Sequence, residues 1–168
     1  MPSLACDAIV REHNFATGFG TLTHKILEDN LKGLQAQIPE DVEKILSDDC
    51  QSFTEQERET ILSCANQLAS SFLNGKLYAQ IKDMKLMSEK SFLLFNGSAY
   101  VEGVIDLLAV GDKEAHIIDF KTDSTMAEED HKFQLDQYVK AVKSLCPDKV
   151  IHAYVCYLRD VDGYLALF

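Results

Sequence analysis

The chain has 168 residues, 46% of them hydrophobic, and a formal net charge of -11. That length suits one domain with a real core, so residues 1–168 are read as a single domain, mainly helical over 1–75 and built from a sheet and one helix over 80–168. The acidic total does not show the basic face with which a protein usually grips long nucleic acid by itself, and no apolar run approaches the length of a membrane span.

The opening "MPSLACDAIVREH" lacks the apolar stretch of a secretion signal, which makes a cytoplasmic setting the expectation. Cys6, Cys50, Cys64, Cys146 and Cys156 are scattered without CxxC spacing, so neither a disulfide framework nor a thiolate metal cluster is expected. They read as small reduced hydrophobes.

"TLTHKILEDNLKG" predicts a helix that opens at a Thr21 cap and stops at Gly33. A second helix over 54–73 opens on a capping box, Thr54 to Glu57, and carries Ile61, Ala65, Leu68 and Phe72 on one face. The period then changes. "KLMSEKSFLLF" is a strand, Asn96-Gly97 a hairpin signal, and "AYVEGVIDLLAV" the next strand. "GDKE" at 111–114 is a second turn, followed by the strand "AHIIDFK". Residues 130–145 predict a helix, and "KVIHAYVCYL" and "YLALF" predict two strands around a "RDVDG" turn. Helices, a three-strand meander, a helix and further strands make an α+β or mixed α/β fold.

Within "IIDFKTD" an apolar strand carries charge. Alternation puts Asp119 and Lys121 on one face with Ile117, and Ile118 and Phe120 on the other. If Gly111 and Glu114 pair across the second turn, Asp106 stands directly opposite Asp119. If the turn is Gly111-Asp112, Asp106 faces Ile117, one diagonal step away. Both registers put the two carboxylates on one face, where like charges repel and raise each other's pKa unless a cation offsets them; only a three-residue loop would separate them. Lys121 could offset one charge; a divalent metal could offset both. In the first hairpin, Asn96-Gly97 as a two-residue loop sets Glu89 opposite Val104, on the same side as Asp106. Glu89 is therefore a subordinate member of the acidic group.

Taken together, Gly103 to Asp106, Asp119 to Lys121, and Gln134 to Tyr138 resemble the G-x-x-D strand, D-x-K strand and Q-x-x-x-Y helix of the PD-(D/E)xK nuclease superfamily, and within it the RecB/AddA-type exonuclease domain. "GTLTHKILE" is similar to that family's early histidine helix, with His24 as the histidine, Gly20 ahead and Glu28 behind. The motifs follow the family's order over residues 18–138. The resemblance implies a restriction-endonuclease-like α/β core, a central mixed sheet flanked by helices. It implies that Asp106 and Asp119 hold Mg2+ or Mn2+ with the Phe120 carbonyl and His24, that Lys121 acts on the developing charge, and that Gln134 and Tyr138 reach DNA or support the site. Glu28 joins Glu89 as a subordinate candidate.

Read from the residues alone, His24 shares a helical side with Leu27 and Leu31 and points inward, as a core histidine would. Gln134 and Tyr138, four apart, share a face that could simply pack on the sheet. His13, His116, His131 and His152 read as ordinary. Cys146 and Cys156 do not supply the close cysteines of iron–sulfur relatives, so no such cluster is expected. No GxxxxGK[ST] loop occurs, so no nucleotide site is expected. The implied protein is a metal-dependent DNA exonuclease of single-stranded ends, beside a helicase subunit or domain in double-strand-break repair. Two alternatives are a non-catalytic DNA-binding or docking module of the same fold, and a structure-specific endonuclease.

Overall fold

The computed structural model describes residues 2–33, 44–45, 53–123 and 128–168. Four helices come first: α1 (Asp7–Glu12), α2 (Ala16–Leu31), α3 (Glu55–Leu73) and α4 (Lys76–Ile81). Strands β1 (Lys85–Phe95), β2 (Tyr100–Val110) and β3 (Glu114–Lys121) follow, then helix α5 (Glu128–Leu145) and strands β4 (Val150–Tyr157) and β5 (Leu165–Ala166). The sheet order is β1-β2-β3-β4-β5. β3 and β4 are parallel and the other pairs antiparallel. This is a mixed α/β fold with a five-stranded mixed sheet flanked by helices, consistent with the restriction-endonuclease-like expectation.

The parallel pair is buried on both faces, as helix-covered parallel strands are. On one face Leu107, Ala109, Ile118, Phe120, Tyr154 and Cys156 pack against α2, α3 and α4. On the other, Leu108, Ile117, Ala153 and Val155 pack against Leu135, Tyr138 and Val142 of α5. Helix α3 has the expected capping box, with Thr54 Oγ1 accepting from Glu57 N and Glu57 accepting from Thr54 N. Its Ile61, Ala65, Leu68 and Phe72 are buried on the sheet side. Phe72 meets Phe120 edge-on at 4.7 Å, which ties α3 to the back of the charged strand.

Three local expectations need correction. Thr21 is no cap: α2 begins at Ala16, and Thr21 Oγ1 bonds back to Thr17 O inside the helix. The capping pattern missed this because the start is set by Phe15 and Phe19, which are anchored in the core. The Asn96-Gly97 turn is wider than two residues. Phe95 pairs with Tyr100, and Asn96 Oδ1 accepts from the backbone of Ser98 and Ala99. An asparagine that binds its own following backbone favours such a loop. Finally, "YLALF" forms only a two-residue strand, after a 3-10 turn at Val161–Gly163.

Candidate active site

The second turn resolves as a two-residue loop, with Gly111 N donating to Glu114 O and Leu107 paired with Ile118. This is the first of the two registers expected, though the paired residues stop one step short of Asp106 and Asp119. The ladder between β2 and β3 ends at Leu107 and Ile118. Just beyond, Asp106 Oδ2 accepts from Phe120 N at 2.8 Å, so a carboxylate serves a backbone donor that the neighbouring strand has left. Alternation along β2 also breaks here. Leu107 and Ala109 belong to the α2–α3 core, yet Ile105 joins Leu108 on the α5 side.

The longer first loop moves the other partner. With Ser88 on Leu107 and Lys90 on Ile105, Glu89 stands beside Asp106 and not Val104. The shift is by two, so the face is unchanged while the neighbour is. Glu89 has φ 51°, a left-handed conformation that non-glycine residues rarely hold. Such strain persists where the surroundings over-determine it.

Helix α2 supplies the third side. A Cβ on Gly20 would lie 3.3 Å from Thr122 Oγ1, so the helix crosses close to the end of β3. One turn on, His24 Nε2 lies 3.0 Å from Phe120 O and Nδ1 lies 3.7 Å from Asp106 Oδ1. With Nε2 donating to the carbonyl, Nδ1 keeps its lone pair on the Asp106 side. One ligand atom each of His24, Glu89 and Asp106 falls within 4.8 Å of the others. Glu89, which sequence reasoning ranked low, is thus in the central group. Nothing in the sequence distinguished the two loop lengths that decide its partner.

Asp119 is 2% exposed. Its Oδ2 lies 2.9 Å from Lys121 Nζ, but off the alignment of a hydrogen bond, so this buried oxygen has no donor. Gln134 Nε2 donates to Tyr138 Oη at 2.7 Å, joining the two expected helix residues. Glu28 pairs with Lys32 and Lys25 one turn beyond His24. Burial lifts its carboxyl, but the two lysines outweigh that and hold it below its ordinary value.

The electrostatics follow from crowding. Burial, then the Asp119 charge, pushes Asp106 up to about 7, against the Phe120 N–H and Lys121, which favour its ionised form. Glu89 is also raised, by desolvation and then by Asp106 and Glu28. Desolvation lowers His24 in spite of Asp119 and Glu89, which keeps the imidazole neutral and able to ligate. Tyr138 is pushed up to about 12 by burial and by Asp119 and Asp106, so its hydroxyl remains a donor. A divalent cation among these groups would relieve the repulsion and satisfy Asp119 Oδ2. The donors are mostly oxygens, which suits a hard cation.

Comparisons with known proteins bear on the family and the fold. The family model of the PD-(D/E)XK nuclease superfamily matches residues 7–163. Among solved structures, a candidate exonuclease from Eubacterium rectale superposes with a TM-score of 0.57 at 11% identity, over 89% of this chain and 59% of that one. Protein VC1899 from Vibrio cholerae (TM-score 0.39, 14% identity, 87% of this chain and 43% of that one) is too loosely superposed to bear on the fold. The same holds for Can2 from Sulfobacillus thermosulfidooxidans, solved with cyclic tetra-adenylate (TM-score 0.30, 14% identity, 91% and 53%). The chain therefore spans between 43% and 59% of the length of the structures it matches. No curated protein matches it significantly in sequence.

Proposed function

The chain belongs to the PD-(D/E)XK nuclease superfamily, and on that premise we propose that it is a Mg2+- or Mn2+-dependent exonuclease acting on DNA ends. In this reading it is the nuclease module of a RecB/AddA-like helicase–nuclease in double-strand-break repair. The observation that carries the reading is the convergence of His24, Glu89 and Asp106 beside the Phe120 carbonyl, where β2 and β3 part.

His24, Glu89, Asp106 and the second lone pair of the Phe120 carbonyl would hold the metal, with Asp119 behind them. A metal held by these residues would supply Lewis acidity toward the phosphodiester and toward water. Lys121 places an ammonium beside Asp119, where it stabilises charge that develops on the phosphate. Tyr138 receives a hydrogen bond from Gln134 and keeps its own proton to give to a phosphate oxygen. The net charge of -11 fits a module whose strand is delivered by a helicase partner.

Incubation with end-labelled linear and circular single-stranded DNA, with Mg2+ or Mn2+ and with EDTA, tests the proposal. Degradation of linear DNA alone, abolished by EDTA, is expected. Cleavage of circles would make the protein an endonuclease. Binding without any cleavage would make it a docking module.

A further inference from the structure

A second group of metal-binding side chains lies on the other face of the sheet. His116 on β3 and His152 on β4 are direct partners in the parallel ladder, and Glu114 precedes His116 by two on the same side of β3. His116 Nε2 lies 3.2 Å from Glu114 Oε1, and His152 Nε2 lies 3.3 Å from Glu114 Oε2. One ligand atom from each residue falls within 4.8 Å of the other two. Asp119 lies three positions along β3 from His116, roughly 10 Å, and points to the opposite face. The two groups are therefore separate.

A plain surface arrangement, two stacked imidazoles sharing one carboxylate, is the competing explanation. The rings do stack, 4.8 Å apart at 28°. His116, however, is 4% exposed, and its buried Nε2 makes no hydrogen bond although Glu114 is near. Its other nitrogen, Nδ1, lies 3.2 Å from Tyr154 Oη. In the tautomer in which Nδ1–H donates to that oxygen, Nε2 offers a lone pair beside the carboxylate, and a cation between them would favour that tautomer over the one in which Nε2–H faces Glu114. A histidine whose second nitrogen is fixed by an oxygen partner is how protein imidazoles are oriented for metals.

We propose that Glu114, His116 and His152 form a site for a zinc-class divalent cation. Two imidazole nitrogens and one carboxylate favour Zn2+ over the hard cations of the nuclease centre. Three protein ligands leave a fourth position for water, and the half-exposed side chains of His152 and Glu114 give the ion a path in. β3 and β4 already pair along the sheet, and the ion would add a side-chain link across these two strands that the α5 crossover connects. This inference does not depend on the nuclease reading.

The test is titration of metal-free protein with Co2+, a visible stand-in for Zn2+, in the Asp106→Ala variant, which impairs the other site. About one equivalent should bind, with visible absorption bands of nitrogen and oxygen ligation. Adding His152→Ala should weaken binding at least about tenfold. On the wild-type background, His152→Ala should leave Mn2+-dependent cleavage unchanged while abolishing the rise in melting temperature that Zn2+ produces. If His152→Ala does not fold, Glu114→Gln, altered at a half-exposed side chain, must show the same losses. Failure of the Asp106→Ala protein to bind Co2+, or unchanged binding after either substitution, overturns the proposal.

Discussion

At the scale of single residues the candidate centre is a balance of charges. Asp106 sits at about 7 in the folded chain against an ordinary 3.8. Between those values the folded state holds more protons than the unfolded one, so this group's contribution to stability falls as pH rises from about 4 to about 7. Asp106→Asn removes the effect and can still accept from Phe120 N. Metal-free Asp106→Asn should therefore melt above wild type at pH 8, with the gap closing toward pH 4. Mn2+ should reverse the order, because wild type gains about 2.7 kcal/mol at a hundredfold excess over Kd and an amide is the poorer ligand. Equal shifts of both proteins with Mn2+ would remove Asp106 from the ligand set. Lys121 makes a second, separable case. Since it is no ligand in the proposed scheme, Lys121→Ala should retain Mn2+ affinity while cleavage falls about 100-fold or more. Single-turnover rates and a Mn2+ titration of the same sample check both halves.

At the scale of elements, the β1–β2 hairpin does most to shape the site. β3 pairs with β2 only from Val110 to Leu107, so the distal hairpin runs on past the sheet. Phe92 anchors it by meeting Tyr138 of α5 edge-on at 5.4 Å. Gly103, opposite Phe92, makes that possible, because a Cβ there would lie 2.7 Å from Phe92 Cζ. The glycine of the G-x-x-D strand thus leaves room for the ring that positions Tyr138. Gly103→Ala gains a little backbone entropy but overpacks the ring, for a net loss of about 1 kcal/mol. Cleavage should fall with it. In a Phe92→Ala background the same substitution should be neutral or stabilising, and a double-mutant cycle by denaturant melts measures the coupling. Much at this scale was legible. The capping box at Thr54 and the limits of β1 were readable, since each rests on neighbours in sequence, while the turn after β2 was narrowed to two registers between which the structure chose. The start of α2 and the width of the first loop were not, because the core anchors of α2 and the side chain of Asn96 decided them.

For the whole molecule, charge and long-range pairing matter most. Arg159, after β4, holds Asp7 of α1 through both carboxylate oxygens, at 2.7 and 2.9 Å, and donates Nε to Thr122 O directly after β3. The guanidinium keeps Asp7 below the usual carboxylate range. The clamp fixes the chain just beyond Lys121, where a loose strand end would blur the site. An acidic protein that meets DNA at one cation-bearing centre should release few counterions. The slope of log affinity against log salt for linear single-stranded DNA, measured with Ca2+ to limit cleavage, should be shallower than about -2. A steeper slope would reveal a basic track that the acidic totals conceal.

The sequence by itself determined the main helices and strands and their order, and the four motifs that resemble the nuclease superfamily. Strand alternation and turn chemistry act over a few residues, so they survive in a one-dimensional reading. The parity of a hairpin is robust in the same way: widening the first loop by two left Glu89 on its face. Only the tertiary structure decided that Glu89 stands beside Asp106, that α2 brings His24 to Phe120 O, and that His116 lies against His152. Those contacts depend on loop width, on a helix crossing and on the register of a parallel pair separated by α5. Each is set by packing among distant segments, and no local pattern encodes it.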